Sequence, residues 1–362
     1  MRIIAYYISD YGYGHASRGI AIIRNLLKDP EVYIIVCHSF ALTFIKDSLN
    51  SSRVIFRNLK TDVGYFLEEN SIQPDRNRLV EEYKNFVSNW DYKVNQEQDF
   101  LQMNKIDLVV SDISPLPFEA TEHLGIPSIG LSNFTWYTAY QGLIEDRELY
   151  PFKTAYQKMT YFFSLAGGNE KWTVTTNEYG IYSREVDLKE VERIRTLVNP
   201  NGYKHVIFLG LGMKIDVDSS LEELPIWNSP DCAFIVSSNV QVNRANVFQI
   251  PSDYLESQNY IAAADLVISK AGWGMVGEAI NANVPLLILN RTSMVEDQNT
   301  INYLKKHHLC HIIDWDQFKS FRLDEFFMNN ITKEINVNSK LNNHEADKIA
   351  ADILQIMNIS TS

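Results

Sequence analysis

Four short segments gather residue types that suit chemistry on a phosphorylated, hydroxyl-rich ligand. The first is Asp10-Tyr11-Gly12-Tyr13-Gly14-His15-Ala16-Ser17-Arg18. Its glycines allow a tight turn and close backbone approach, and a helix starting there offers free N–H groups to an anion. His15 stands where a side chain would project into a cleft beyond the strand end. The same residues would also make a plain tight turn with a structural histidine. The spacing is not the dinucleotide fingerprint, because no third glycine falls at the required offset. It is not a P-loop either, because no Gly-Lys-Ser/Thr follows.

The second segment is Ser111-Asp112-Ile113-Ser114-Pro115. A carboxylate at Asp112 would orient an imidazole and stabilise its charged form. Alternatively, Asp112 or Ser114 caps a helix before Pro115. The third runs from Ser269 through Lys270, Gly272, Trp273 and Gly274 to Glu278 and Ala279. Lys270 and the amides after Gly272 suit a diphosphate. Glu278, about one turn into a helix, either accepts hydrogen bonds from two ribose hydroxyls or simply answers the helix dipole. The fourth, Glu296-Asp297-Gln298-Asn299, sets acidic and amide groups in a row. Such a row matches hexose hydroxyls, which need both acceptors and donors, or begins a capped helix. His307, His308, Cys310 and His311 do not make a metal site, since adjacent histidines do not share a helix face. Tyr161-Phe162-Phe163, with Tyr150 and Phe152, is either an acceptor or membrane patch or core packing.

Parallel α/β elements are needed to place these segments. Apolar runs at Ile3–Ile8, Val32–Cys37, Leu108–Val110 and Ser128–Leu131 read as buried strands, with a weaker one at Val54–Phe56. Helical spacing covers Ser17–Leu27, Pro117–Leu124 and the polar stretch 75–103. Strand and helix alternate, which indicates βαβ units. The pattern restarts with strands at Val206–Leu209, Ala233–Val236, Leu266–Ile268 and Leu286–Leu289. Helices fall at Gly274–Asn281 and Asp297–Lys306, and the first strand of this half ends in the turn Gly210-Leu211-Gly212. The reading is two Rossmann-like domains, 1–178 and 179–342, with a seam near 165–200. A terminal amphipathic helix within 343–362 packs back on the first domain. Each functional segment then falls beyond the carboxyl end of a strand, where open α/β sheets bind ligands, and the cleft between two such sheets is the natural site.

A chain of 362 residues and 45% hydrophobic composition has room for two cores, at roughly 100–200 residues per domain. Lys plus Arg number 33 against 45 Asp plus Glu, for a formal charge of −12. With no basic stripe, this argues against nucleic acid as partner. Cys37, Cys232 and Cys310 are odd in number and far apart, so they are expected to be reduced thiols. The start is no signal peptide, and no apolar run approaches the ~18–20 residues of a membrane span. A cytoplasmic location is expected, with peripheral membrane contact left open.

Taken together, the segments resemble the GT-B glycosyltransferases that use nucleotide sugars. Gly12 to Arg18 is similar to their G-x-G-H-x-x-R loop. Ser269–Glu278, with Val284-Pro285 and Asp297-Gln298, is similar to their donor motif. The overall likeness is to the glycosyltransferase-like N-terminal region of plant L-arabinokinases and, more distantly, to the peptidoglycan N-acetylglucosaminyltransferase. The resemblance implies two parallel sheets facing across a cleft, and transfer from a nucleotide-sugar donor, with a UDP-sugar expected, to an acceptor hydroxyl. Transfer would invert the anomeric carbon with no metal or resident cofactor. The acceptor is a glycan, a lipid-linked molecule or a small molecule. His15 would be the base and Asp112 its partner. Gly14, Gly212, Lys270, Gly272, Trp273 and Gly274 would hold the diphosphate, Glu278 the ribose, and Asp297 and Gln298 the donor sugar. Lys270 stands where plant-type members carry His, and Gly274 where they carry Asn. A nucleotide-sugar hydrolase of the same fold and a non-catalytic nucleotide-sugar-binding protein are the competing readings.

Overall fold

A computed structural model of the chain describes residues 1–68, 73–212, 221–291, 294–334 and 344–360. The described backbone divides into two compact units. The first spans Met1–Phe66, Pro74–Tyr182 and Asn342–Ser362, and the second Leu67–Gln73 and Ser183–Leu341.

The first unit is built on seven parallel strands: β1 (Arg2–Ile8), β2 (Val32–His38), β3 (Val54–Asn58), β4 (Leu108–Asp112), β5 (Ser128–Ser132), β6 (Tyr161–Leu165) and β7 (Thr175–Tyr179). Their order is β3-β2-β1-β4-β5-β6-β7. Ile4 to Ile8, the last five residues of β1, are all buried, as expected for a parallel strand covered on both faces. The sheet runs two strands further than the apolar runs suggest. Phe162 and Phe163 are buried in β6, Tyr161 stands half-buried beside them, and Phe152 is buried in the helix Tyr150–Gln157. Four of the five aromatics are therefore core or border it, and Tyr150 is exposed. The stretch read as seam contains β7, whose Thr-Thr-Asn-Glu-Tyr sequence is too polar to show as a strand. The polar stretch 75–103 forms two helices, Arg76–Val87 and Trp90–Met103.

The helix Glu345–Ser360 belongs to this unit and packs on the helix α1 (Tyr13–Leu26). Ala346, Ile349, Ala350, Ile353 and Met357 form its buried stripe at helical spacing. Glu345 Oε2 accepts from the Gly180 amide at 2.8 Å, and Asp352 Oδ2 from the Tyr179 hydroxyl at 2.7 Å.

The second unit carries six parallel strands: β8 (His205–Gly210), β9 (Cys232–Val236), β10 (Val247–Gln249), β11 (Leu266–Lys270), β12 (Leu286–Asn290) and β13 (Cys310–Asp314). Their order is β10-β9-β8-β11-β12-β13. Both sheets thus repeat the doubly wound pattern in which the first strand lies beside the fourth. That junction is the topological switch point, where the connections leave in opposite directions and open a crevice at the carboxyl ends. In one unit the junction pairs β1 with β4, Ile8 beside Asp112. In the other it pairs β8 with β11, Gly210 beside Ser269.

Candidate functional site

At the first switch point the chain leaves β1 through Gly12, whose φ of +87° favours glycine. Helix α1 begins at Tyr13, one turn earlier than the apolar periodicity from Ser17 suggests. His15 therefore sits in the first turn, and Arg18 follows on the same face. His15 Nδ1 lies 2.9 Å from Asp112 Oδ1. Arg18 holds both oxygens of Asp112, with Nε donating to Oδ2 at 2.6 Å and Nη2 donating to Oδ1. Nη2 also reaches Ser132 Oγ at 3.1 Å, and Nη1 reaches Asn133 Oδ1 at 3.3 Å. All five residues are buried. Asp112 is not a helix cap: no side chain caps the helix Leu116–Leu124, and Ser114 Oγ donates to the Thr61 carbonyl.

The electrostatics follow from this packing. Burial raises the Asp112 carboxyl, but Arg18 and then His15 outweigh it and hold the group ionised below the usual carboxylate range. An ionised carboxylate only accepts, and Asp112 Oδ1 and Ser132 Oγ take both hydrogens of Arg18 Nη2, so the Asp112 contact favours the proton on His15 Nδ1 and leaves Nε2 its lone pair. Burial and then the Arg18 charge push the imidazole below 6.5, against the pull of Asp112. At neutral pH the ring is unprotonated, as a base must be.

Beneath this cluster Asp10 ties the β1 loop to β2. Its Oδ1 accepts from the amides of Ser39 at 2.9 Å and Phe40 at 3.1 Å, and His38 Nδ1 lies 2.9 Å away. Buried Asp62 accepts from the Asp10 amide at 3.2 Å and from Trp136 Nε1 at 2.9 Å. Burial and then the Asp10 carboxylate push Asp62 up to about 7. Nothing in the residue pattern around Asp62 or His38 distinguishes them from loop and strand residues.

At the second switch point the side chain of Lys270 lies against two glycines. A Cβ on Gly212 would stand 3.0 Å from Lys270 Cε, and one on Gly272 would stand 3.3 Å away. Gly212 also has φ +86°, which favours glycine. The helix Trp273–Asn281 starts at Gly272 with no side-chain cap and no acidic residue in its first turn. Trp273 and Gly274 are buried in that turn. An uncapped helix start beside a lysine is chemistry for an anion.

Glu278 lies in the same helix and is buried. Its Oε1 accepts from Arg184 Nη2 at 2.8 Å and Nε at 3.1 Å. Arg184 is itself anchored by the Leu255 carbonyl at 2.7 Å and Ser257 Oγ at 3.1 Å. Asp297, in the helix Val295–Lys306, is fully buried and held by Arg291 at 2.6 and 2.8 Å. Gln298 Nε2 donates to Asn290 Oδ1 at 3.1 Å and to the Arg291 carbonyl at 3.0 Å.

The three carboxylates singled out from the sequence, Asp112, Glu278 and Asp297, are thus each gripped by a buried arginine. Arg184 and Arg291 lie outside the four segments, and Arg18 lies inside the first without an evident role. For Arg18 the available signal was its spacing, three residues after His15 on a helix. Among the described residues no group of three or more His, Cys, Asp or Glu is placed to hold a metal ion, and no helix is long and apolar enough to cross a membrane.

Comparison with known proteins agrees with this architecture. The model of the glycosyl transferase family 1 matches residues 1–147, and that of the glycosyltransferase family 28 C-terminal domain matches residues 238–355. The chain has the GT-B fold, and glycosyltransferase family models match one stretch in each half of it. The solved glycotransferase of kitacinnamycin matches with a TM-score of 0.63 at 13% identity, over 98% of each chain. UGT2 of Phytolacca americana, complexed with UDP-2fluoro-glucose and pterostilbene, matches with a TM-score of 0.60 at 11% identity, over 99% of this chain and 95% of that one. UDP-GlcNAc 2-epimerase from Neisseria meningitidis, bound to UDP-GlcNAc, matches with a TM-score of 0.58 at 14% identity, over 98% and 100%. L-arabinokinase of Arabidopsis thaliana is 23% identical over 316 residues, 84% of this chain. The chain spans only 30% of that relative's length. The two family models support a transferase role, and the solved neighbours show the fold.

Proposed function

We propose that this chain moves a sugar from a nucleotide-sugar donor, a UDP-sugar, to an acceptor hydroxyl by direct attack with inversion. The buried His15–Asp112 pair at the first switch point carries this reading. His15 Nε2 takes the acceptor proton as the hydroxyl oxygen bonds to the anomeric carbon and the bond to the diphosphate breaks. Lys270 and the amides that open the helix Trp273–Asn281 receive the charge of the departing diphosphate, with Gly14 and Gly212 allowing close backbone approach. Glu278 takes the ribose, and Asp297 with Gln298 the sugar. In this reading the nucleotide sugar is a substrate, and neither a metal nor a resident cofactor takes part.

The test is thermal unfolding against nucleoside diphosphates and their sugars. A ligand at ~100 times its dissociation constant adds about 2.7 kcal/mol, and each kcal/mol moves the midpoint by roughly 2–4 °C. A clear rise with UDP is expected, and no rise with any nucleotide would reject the donor site. Incubating the stabilising donor with and without an acceptor panel then separates transfer from hydrolysis. Full turnover without an acceptor would make this protein a hydrolase.

The acid limb of kcat/KM supplies a second check. Activity needs unprotonated His15, so it falls as pH drops through the His15 pKa, which lies below 6.5. A limb centred above 6.5 would be inconsistent with His15 as the base.

A further inference from the structure

Asp112 lies close to two basic groups, and only one of them would do chemistry. An aspartate beside a histidine ordinarily favours the imidazolium. Here Arg18 takes both oxygens of Asp112 and approaches the ring itself, with Nη2 3.0 Å from His15 Nδ1. Arg18 is in turn anchored from β5 and the residue after it, by Ser132 and Asn133. Helix α1, β4 and β5 therefore meet on one guanidinium. His38 on β2 also acts on His15, while Tyr6 on β1 and Tyr182 beyond β7 face the Arg18–Asp112 pair. Both tyrosines are buried with their hydroxyls pushed well above 10, so they stay neutral. With His15 neutral, Arg18 and Asp112 cancel, and the ring sees no net charge from its nearest neighbours.

We infer that Arg18 is the positioning residue of the base. Its two-pronged hold on Asp112 aims Oδ1 at the His15 Nδ1–H, and its charge keeps Nε2 bare until the acceptor's proton arrives. Arg18 touches no reacting atom in this arrangement. Asp112 then acts mainly as an orienting acceptor, because most of its charge is already spent on the guanidinium. The inference rests on His15 as the base.

The experiment reads His15 directly, with no substrate. The full chain is labelled with ring-¹⁵N histidine, and His15 is identified by its loss in His15→Gln. At pH 7 the wild type is expected to show Nδ1 protonated and Nε2 bare. In Arg18→Met the His15 titration midpoint is expected to rise by at least about one pH unit, because the Asp112 charge is no longer opposed. Arg18→Lys restores the midpoint in part but loosens the tautomer preference, since an ammonium cannot grip both oxygens. A midpoint unchanged in folded Arg18→Met, or a wild type protonated at Nε2, overturns the inference. Should Arg18→Met not fold, the double variant Arg18→Met/Asp112→Asn leaves no unpaired charge. It is expected to keep a low midpoint and lose the fixed tautomer, and a retained tautomer overturns the inference. Persisting transfer in His15→Ala, with these ring states as expected, would reject the base and leave the Arg18 effect on the ring intact.

Discussion

His15→Ala is expected to lower transfer by ~10²–10⁴-fold while the affinity for UDP stays nearly constant. That loss corresponds to about 3–5 kcal/mol of barrier. The structure makes the variant a clean one. Removing the imidazole leaves Asp112 still held on both oxygens by Arg18, so no buried charge loses its partner. Trimming Asp112 instead would strand the guanidinium of Arg18 and confound chemistry with folding. The measurements are the rate of product formation at saturating donor and a calorimetric titration with UDP. Near-normal turnover removes His15 from the base role. A fall in UDP affinity to match the fall in rate would mean that the substitution disturbed more than the proton acceptor.

Glu278 carries the second large effect, and it divides into stability and binding. Glu278→Ala removes the carboxylate that takes two hydrogen bonds from the buried Arg184, whose other contacts include the Leu255 carbonyl and the Ser257 hydroxyl. Breaking such a pair from one side costs about 3–5 kcal/mol, so this variant is expected to unfold at far lower denaturant concentration. Glu278→Gln keeps the shape and a carbonyl oxygen for Arg184, and is the better probe of binding. If the carboxylate accepts the ribose hydroxyls, the loss of charge-assisted hydrogen bonds weakens UDP by about 10–100-fold. A titration of folded Glu278→Gln with unchanged affinity would reject the ribose assignment and leave Glu278 as the counter-charge of Arg184 alone.

Much of the framework was legible because it is local. Apolar runs such as Ile3–Ile8 and Leu266–Ile268, alternating with segments of helical spacing, read as buried strands, and glycines at 12 and 272 mark where each half turns from strand to helix. The missed elements fail for a physical reason. β7 lies at the sheet edge, where Thr175, Thr176 and Glu178 face solvent, so it needs no apolar signature. β6 was visible as an aromatic run but not as a strand, since burial and period cannot be separated over so few residues.

Which segments lie at strand ends, and which side chains there can accept a proton or meet an anion, follows from local residue patterns. The partners of those side chains come from how distant segments pack. Arg18 and Asp112 are 94 positions apart, as are Arg184 and Glu278, and no periodicity or turn signal links residues so distant. Each carboxylate looked from the sequence like a free ligand for an imidazole or a sugar, and each is bound by a buried guanidinium. Removing a carboxylate from water is costly unless a counter-charge goes with it, and the fold brings that charge from wherever the chain passes.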